Sequence, residues 1–575
     1  MDPETDNITV AGIGDMSGDV FGNGMLLSSS MKLVAAFNHR HIFIDPTPDP
    51  ATSFEERKRL FELGRSNWTD YDTSKMSDGG GIYDRNARRI ELSNQAQHAL
   101  GIEEASLSGE ELIRAILKAD VDLLWNGGIG TYVKASSESH QDVGDKDNDA
   151  VRIDATETRA RVIGEGGNLG VTTKGRIEYA MAGGRINLDA IDNSGGVDLS
   201  DHEVNLKTLL VGAQASGSLS KKDRDSLLIR VGDAVCDDVL ENSRINALGI
   251  SLDVLRSERD LWSFQRLIMQ LRSDIGFKRR VERLPNSGQC ETRVERQQGL
   301  FRPELGKLLA FSKMFSYKRL VDEPAGTTKE LLSFLKSYFP GEVVETQGKH
   351  LENHMLFREI AATVQVNHIV GRAGIEFIPV MVSALERSTS EVTAAYLVTE
   401  GLLDIESIRR EIEALQGSVS TEILYPALID IDDELRRGVS ALLTLRSERA
   451  TLAWNESLSG VQSLAATFAD KAEEILPVES WMSVMKRRDE LVREGIPAST
   501  ATKIALLPLT VYIPSIYHFA QSKSLDAEQA LGHFFQAGIS SGITLLRSRI
   551  SEQTYSEDWD QLAMHSIDRA LLGSL

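Results

Sequence analysis

The feature that most constrains the fold is an alternation, over residues 8–210, of short β-branched runs with helical patterns and glycine turns. Such an alternation is typical of parallel strands joined by crossover helices. Each predicted strand is followed closely by glycine, asparagine or aspartate, and the predicted strands are residues 8–13, 32–37, 123–125, 160–163 and 185–187. The first part of the chain is therefore predicted to be α/β, with polar residues gathered where the strands end.

Beyond residue 221 the apolar residues recur at helical spacing, and the last predicted helices are residues 527–549 and 556–572. No fixed-period repeat is evident, which favours an irregular helical region over a solenoid. A chain of 575 residues also exceeds the roughly 250–300 residues that one core accommodates. We predict an α/β domain at 1–220, with a polar insertion at about 45–84, and one or more helical domains at 221–575.

Charge and cysteine usage exclude several classes of protein. The 63 basic and 85 acidic residues give a net charge of -22, which argues against nucleic acid or an anionic membrane as a partner. Cys236 and Cys290 have neither disulfide nor metal spacing, so we expect plain thiols, no metal site and a reducing cytoplasm.

The apolar stretch 501–520 contains a lysine and two prolines, which indicates a buried helix pair and not a membrane span.

A glycine motif, GIGDMSG, follows the first predicted strand and contains Gly12, Gly14 and Gly18. Glycines at a strand-to-helix turn let the backbone approach a pyrophosphate, and the N–H groups at the helix start favour its charge. We therefore predict a Rossmann-like coenzyme-binding domain whose cofactor contacts come from Gly12, Gly14, Asp15, Met16 and Ser17. The alternative is that these glycines only form a tight turn and let a helix pack on the strand.

Asn38 follows the second predicted strand, where an NAD site usually has an acidic residue that accepts hydrogen bonds from the ribose diol. An amide still bonds a hydroxyl, whereas His39, Arg40 and His41 would tolerate a 2′-phosphate. The sequence at this position therefore leaves the choice between NAD and NADP open. Asp45, which ends the next apolar run, is a less well placed acidic candidate.

Four long segments extend the pattern well beyond the glycine motif. They are GIGDMSGDVFGNGMLLS, LLWNGGIGTYVKAS, VIGEGGNLGVTTKGRIEYA and GGRINLDAIDNSGGVDLSDHEVNLK, and the helical part adds RPELGKLLAFSK and REIAATVQVNHIVGRAGIEF. In this order they resemble the large-type bacterial NAD-dependent glutamate dehydrogenases over nearly the whole chain. The chain resembles the C-terminal portion of the enzymes of that family, which comprises their coenzyme-binding domain and their helical C-terminal domain.

The resemblance implies an oxidoreductase of glutamate catabolism that deaminates L-glutamate to 2-oxoglutarate and ammonia, with NAD as cofactor. It also implies that the protein forms a large homo-oligomer. It also implies roles for individual residues. Asn193 is expected near the nicotinamide, Ser200 at the substrate side-chain carboxylate, and Asn168 at the nicotinamide ribose. Asn126 and Gly127 fall where the coenzyme usually passes.

Each of these residues has a structural alternative. Asn168 and Asn193 would also serve as loop asparagines that satisfy the local backbone. Ser200, with Glu203 three residues on, has the form of a capping box at a helix start. His202 invites an acid–base role, but we expect a structural or surface histidine.

In the family that the chain resembles, a substrate domain precedes the coenzyme domain and supplies the catalytic lysine. Only seven residues precede the first predicted strand here, too few for a domain. We therefore expect a fragment with little or no turnover and no catalytic residue of its own, completed by an upstream substrate domain in the same polypeptide or a companion chain. Lys134 and Lys174 could in principle replace the missing catalytic lysine. We expect each of them instead to be a surface or phosphate-neighbouring lysine.

Two other hypotheses fit the same residues. One is a noncatalytic assembly or regulatory module that only binds NAD. The other is a dehydrogenase of another amino acid, because related enzymes share the coenzyme domain.

Overall fold

The structure is a computed structural model that describes residues 4–445, 449–541 and 567. The strands are β1 Thr9–Ile13, β2 Lys32–Phe37, β3 His41–Ile44, β4 Gly81–Asp84, β5 Ile90–Glu91, β6 Ser106–Leu107, β7 Leu123–Asn126, β8 Val133–Lys134, β9 Ile153–Asp154, β10 Val162–Glu165 and β11 Arg185–Ile186. The helices up to residue 215 are α1 Asp19–Leu26, α2 Pro50–Glu62, α3 Asn94–Leu100, α4 Gly109–Leu117, α5 His140–Val143, α6 Thr173–Met181, α7 Asp189–Asp192 and α8 Ser194–Ala215.

The main sheet has the strand order β11-β10-β7-β1-β2-β3-β4. The five predicted strands are confirmed within two residues, and they pair in parallel as β2, β1, β7, β10 and β11. The sheet is nevertheless mixed, because β3 and β4 add as antiparallel strands at one edge. Only three residues separate β2 from β3, which is enough for a hairpin and far too few for a parallel crossover.

Helices cover both faces of the sheet, and β1 shows why. Val10 lies in a core with α1, α2 and Trp68, whereas the next residue, Ala11, lies in a core with α3, α4 and α6. Successive side chains of a strand point to opposite faces, so a strand buried on both sides is apolar throughout. The run of apolar residues in β1 therefore follows from its central position.

The predicted insertion at 45–84 is a structured part of the α/β domain. It contains α2, the short 3-10 turns Trp68–Asp70 and Thr73–Lys75, and β4. Asp49 caps α2 by accepting a hydrogen bond from the Thr52 amide, and Pro50 occupies the first turn, as helix starts favour. The buried guanidinium of Arg57 donates to the carbonyls of Met25 and Met31, which ties α2 to the end of α1 and to the segment leading into β2.

The remainder of the described chain is helical, as predicted. Its helices are α9 Lys221–Arg230, α10 Gly232–Arg259, α11 Leu261–Ile275, α12 Ser287–Glu295, α13 Arg302–Asp322, α14 Thr328–Tyr338, α15 Gly341–Gln347, α16 Phe357–Ala373, α17 Phe377–Leu385, α18 Thr389–Leu402, α19 Ile405–Glu413, α20 Thr421–Leu445, α21 Arg449–Ile475, α22 Val478–Arg493, α23 Ala498–Thr510, α24 Ile513–Lys523 and α25 Ala527–Ser540. The long α10 packs against α8 on one side and against α13, α16 and α20 on the other. The predicted domain boundary at 220 falls between α8 and α9 and stays a prediction.

The predicted buried helix pair at 501–520 is confirmed as α23 and α24, which contribute Ile504 and Ile516 to the helical core. The last predicted helix, 556–572, lies outside the described residues except for Ile567, which is helical. In the described ranges no single helix is long and apolar enough to cross a membrane; α16 and α17 meet that test together but are bent by 92°.

Candidate functional site

The candidate site lies at the carboxyl end of β1, between β2 and β7. The connection after β1 runs through α1 to β2 on one side, whereas β7 and β10 lie on the other side. In register, Ile13 at the end of β1 pairs with Phe37 of β2 and with Asn126 of β7. Chains that leave a parallel sheet in opposite directions open a crevice at such a point, where open α/β sheets bind ligands.

The glycine loop after β1 is held tightly against α1. Gly14 has a φ of +144°, and a Cβ there would lie 2.7 Å from the Phe21 Cβ. Its N–H donates to the Phe37 carbonyl at 2.8 Å, which fixes the loop across the end of β2. Gly18 caps α1 without a side-chain hydrogen bond. A glycine-lined backbone that leads into such a helix start is suited to an anionic group.

A residue of the insertion supports this loop from behind, and the sequence did not reveal it. The buried Trp68 donates from its Nε1 to the Gly14 carbonyl at 3.0 Å and stacks on Phe43 at 4.6 Å. Met16, predicted to contact the cofactor, has its side chain 1 % exposed in the core on that same face. Only the main chain of Met16 is therefore available to a ligand. Asp15 and Ser17 are the polar side chains of the loop.

Asn38 is placed at the end of β2 as predicted, but its amide is already engaged. Its Oδ1 accepts from the backbone N–H groups of Arg40 and His41 at 2.8 and 2.7 Å, and its Nδ2 donates to the Asp15 carboxylate at 2.7 Å. The amide thus closes the turn of the β2–β3 hairpin. The other acidic candidate, Asp45, is fully buried and accepts from the Ser77 amide, so it serves the insertion.

Asn126, at the end of β7, has the opposite character. It is 2 % exposed, and both its Nδ2 and its Oδ1 lie buried without a hydrogen-bond partner. A Cβ on Gly170 would lie 1.5 Å from that Nδ2, so the loop between β10 and α6 passes directly over the amide. A buried donor and acceptor left unpaired costs about 1–3 kcal/mol each unless something binds them. The neighbouring Gly127 donates to the Ile13 carbonyl at 2.9 Å, which joins the two loops of the crevice.

Asn168 and Asn193 lie within hydrogen-bonding distance of each other, and their predicted roles stay predictions. The Asn193 Nδ2 donates to the Asn168 Oδ1. Leu169, which follows Asn168, has a φ of +60°, a left-handed conformation that costs a non-glycine residue about 1 kcal/mol or more. Its N–H donates to the Asp189 carboxylate at 3.0 Å, which holds that conformation.

A buried ionic cluster under this loop fixes both asparagines. Arg176 of α6 pairs with Glu165 at 2.6 and 2.9 Å and with Asp189 at 3.0 Å. Burial raises the pKa of the Glu165 carboxyl, and the Arg176 guanidinium opposes that rise. Asp189 belongs to α7, the single turn that ends at Asn193, so the cluster links β10, α6 and the start of α8. None of its members was predicted, because an ion pair between distant positions leaves no local pattern.

Ser200 lies inside α8, which begins at Ser194 and is capped by Asn193. The predicted capping box at Ser200 is therefore wrong: the residue is exposed and its Oγ donates to the Gly196 carbonyl at 3.0 Å. His202 is buried as a structural residue and stacks on Tyr338 at 4.2 Å. It faces away from Ser200, towards the helical core.

The two candidate lysines do not form a catalytic pair. Lys134 is not at the surface as expected: it is 7 % exposed and ion-paired with Asp154. Lys174 lies partly exposed in the first turn of α6. In the described ranges no group of three or more histidine, cysteine, aspartate or glutamate residues is arranged to hold a metal ion.

Two protein families match the chain, one for each part of the fold. Residues 1–253 match the model described as bacterial NAD-glutamate dehydrogenase, catalytic domain, and residues 297–574 match the model described as glutamate dehydrogenase, C-terminal. The first match ends inside α10.

Curated relatives named NAD-specific glutamate dehydrogenase align with nearly all of the chain. The relative from Pseudomonas aeruginosa is 38 % identical over 98 % of this chain and 35 % of its own length. Those from Halomonas elongata and Mycobacterium tuberculosis are each 36 % identical, over 97 % and 100 % of this chain and 34 % and 36 % of their own lengths. The chain thus spans about a third of the length of these relatives. Four sequence segments, two family models and these alignments agree, and the chain is similar to the bacterial NAD-specific glutamate dehydrogenases over nearly its whole length.

Proposed function

We propose that this chain supplies the coenzyme-binding part of an NAD-dependent glutamate dehydrogenase, which deaminates L-glutamate oxidatively to 2-oxoglutarate and ammonia. The observation that carries the proposal is the unpartnered, buried amide of Asn126 beside a glycine loop at the branch point of the sheet. The Rossmann-like arrangement of β1, α1 and β2 supports a dinucleotide as the ligand, and the printed names of the relatives support NAD.

The residues present fit a dinucleotide. The backbone at Gly12, Gly14 and the start of α1 offers N–H donors for a pyrophosphate, and Asn126 offers a buried donor and acceptor. When bound, NAD supplies the hydride acceptor for the glutamate α-carbon. In this proposal Asn168 and Asn193 hold the nicotinamide end, since an amide matches both the carboxamide and the ribose hydroxyls.

Ser200 is proposed to bind the substrate side-chain carboxylate. It lies seven residues after Asn193, close to two helical turns, so both residues share one face of α8 about 10 Å apart along its axis. That separation is comparable to the distance from the α-carbon of glutamate to its side-chain carboxylate, with one contact to the protein added at each end. The exposed Oγ needs only to rotate from the Gly196 carbonyl to donate to a carboxylate.

The groups that move protons are proposed to come from a lysine-bearing substrate domain outside these 575 residues. Within the described ranges, Lys134 is committed to Asp154 in the interior. Without a positioned acid or base, a step of this kind loses on the order of 10²–10⁴ in rate. We therefore propose that this chain alone binds coenzyme and turns glutamate over slowly or not at all.

The first test is calorimetric titration of the purified chain with NADH, comparing the wild type with Gly14→Val and Asn126→Ala. We expect wild-type binding, loss of binding in Gly14→Val, and weakening of roughly tenfold in Asn126→Ala, the equivalent of one hydrogen-bonding group. The absence of NADH binding by a folded wild-type chain would overturn the proposal.

The matched control is Gly217→Val. Gly217 also has a positive φ, +74°, but no atom lies within 4 Å of a Cβ there, and it follows α8 far from the crevice in sequence. It also places valine at a positive φ but away from the glycine loop, so we expect its NADH affinity to equal that of the wild type. Thermal melts of all variants separate loss of binding from loss of fold.

Turnover is tested separately with a panel of amino acids and NAD. Formation of NADH with glutamate alone, once a substrate domain is supplied, would support the proposal. Rapid turnover by the 575-residue chain alone would show that the proton-transferring groups lie within it, and preference for another amino acid would identify a different dehydrogenase.

A further inference from the structure

A carboxylate stands at the end of β2 although the sequence has an asparagine there. Asp15, from the glycine loop, extends across to that position, where its Oδ2 accepts from the Asn38 Nδ2 at 2.7 Å. Its Oδ1 accepts from the backbone N–H and the hydroxyl of Ser17 at 2.9 and 2.5 Å. Three donors from two segments therefore hold the carboxylate in one orientation.

The amide of Asn38 has little capacity left for a ribose. Its oxygen already accepts two backbone hydrogen bonds, and the residue is only 7 % exposed. Each carboxylate oxygen accepts about two hydrogen bonds. The Asp15 Oδ1 has both of its donors, whereas its Oδ2 has one, which leaves one acceptor position on Oδ2 for a ligand.

The charge of this carboxylate is not neutralised nearby. Among the described residues, no lysine or arginine nitrogen is recorded within 4.0 Å of Asp15. The Arg85 guanidinium, which reaches the same turn, donates to the Asn38 carbonyl at 3.0 Å and to the Asn148 Oδ1 at 3.3 Å. A phosphate placed beside Asp15 would therefore meet a fixed negative charge.

We propose that Asp15 selects the unphosphorylated dinucleotide, because its carboxylate accepts hydrogen bonds from the adenosine ribose hydroxyls and repels a 2′-phosphate. This inference rests on the proposed function and makes it more specific. Asn38 acts as a positioning residue, because its amide donates to the Asp15 carboxylate and holds it in place. This role explains why the end of β2 has an asparagine where an NAD site usually has an acidic residue. His39 and Arg40 are exposed beyond the turn, so the proposal requires the fixed charge of Asp15 to outweigh theirs.

The experiment measures the Kd of NADH and of NADPH for the wild type and for Asp15→Asn. We expect the wild type to bind NADH roughly 100-fold more tightly than NADPH, a difference of about 2.7 kcal/mol. In Asp15→Asn, which is nearly isosteric, NADH should weaken and NADPH should strengthen, each by about tenfold, so that the ratio falls close to one. An unchanged ratio in a variant that still binds NADH overturns the inference alone.

A second variant, Ser17→Ala, separates charge from position. It removes the hydroxyl donor to Oδ1 but keeps the charge of Asp15, so we expect weaker NADH binding and continued rejection of NADPH. The control is Asp49→Asn, which removes an equal charge from the cap of α2 and should leave the ratio unchanged. A wild-type chain that binds neither dinucleotide overturns the proposed function itself, and one that prefers NADPH overturns the inference.

Discussion

Two asparagines at the ends of neighbouring strands have opposite hydrogen-bonding states. The amide of Asn38 forms hydrogen bonds with the hairpin turn and with Asp15, whereas Asn126 is buried with its amide unpaired. Asn38 was predicted at the site from its position after a strand, and Asn126 from the family resemblance. Whether a side chain is available to a ligand depends on the groups around it, and for Asn38 these include Asp15, which is 23 residues away in the sequence.

Trp68 provides a test at the residue scale. Replacement by phenylalanine keeps the stacking on Phe43 but removes the donor to the Gly14 carbonyl. We expect the free energy of unfolding to fall by about 1–2 kcal/mol and NADH affinity to fall several-fold, because the glycine loop loses its support. Chemical denaturation and calorimetry measure the two effects.

Trp262→Phe is the matched control for that variant. The Trp262 Nε1 is buried without a hydrogen-bond partner, so the same substitution breaks no such bond. Its NADH affinity should equal that of the wild type. Equal losses of affinity in both variants would contradict a supporting role for Trp68.

At the scale of elements, one ionic cluster sets the geometry between β10, α6 and α7. Glu165 ends β10, Arg176 lies in α6, and Asp189 begins α7, which leads directly to Asn193 and α8. The sequence predicted a strand near 160–163 and the motif around Asn168. It could not predict the cluster, because only the parallel packing of these elements brings its members within 3 Å.

Arg176→Met tests the cluster. The substitution leaves the Glu165 carboxylate fully buried without its cation, and such a change costs about 3–5 kcal/mol in the free energy of unfolding. The pKa of Glu165, already raised by burial, should rise further. Urea denaturation of the variant measures the loss.

The double variant Glu165→Gln with Arg176→Met should recover much of that stability, because it no longer buries an unpaired charge. Its NADH affinity should stay low, since Leu169 and Asn168 lose part of the network that positions them. A double variant as unstable as Arg176→Met would show that burial of the charge is not the cause.

At the scale of the whole molecule, α8 and α10 join the sheet domain to the helical region. Lys313 of α13 lies at this junction and donates to the Asn246 Oδ1 of α10 at 2.9 Å. Burial lowers the pKa of Lys313 to about 8, and the negative charge of Asp198 in α8 partly opposes the shift. The junction therefore contains a lysine whose charged form is less stable than that of an exposed lysine.

This predicts a pH dependence with a definite sign. Between about pH 8 and the ordinary lysine value of 10.5, the unfolded chain binds more protons than the folded one, so stability rises with pH. Lys313→Met should be more stable than the wild type at pH 7 by roughly 1–2 kcal/mol, and the difference should shrink as pH approaches 10. Denaturation midpoints at pH 7 and 9.5 measure it.

Lys318→Met, an exposed position of the same helix, serves as the control for loss of one positive charge. An advantage of Lys313→Met that persists unchanged at pH 9.5 would contradict the assignment. So would a Lys313 variant that is less stable than the wild type at both values.

The sequence by itself determined the elements and the family resemblance. Short β-branched runs located the parallel strands and helical spacing located the helical region, since the burial of an element leaves a local order of apolar residues. Glycine and asparagine after the strands located the crevice. These features are local along the chain, and each therefore leaves a pattern that can be read without knowledge of the fold.

Only the tertiary structure decided which of those residues are free to act. In the structure, Trp68 of the insertion supports the glycine loop and Ser200 lies inside α8. The carboxylate at the end of β2 comes from Asp15 of the glycine loop. The physical reason is that hydrogen bonds and ion pairs between distant positions depend on distances of a few ångströms. Those distances are set by the packing of whole elements, and no local pattern in the sequence specifies them.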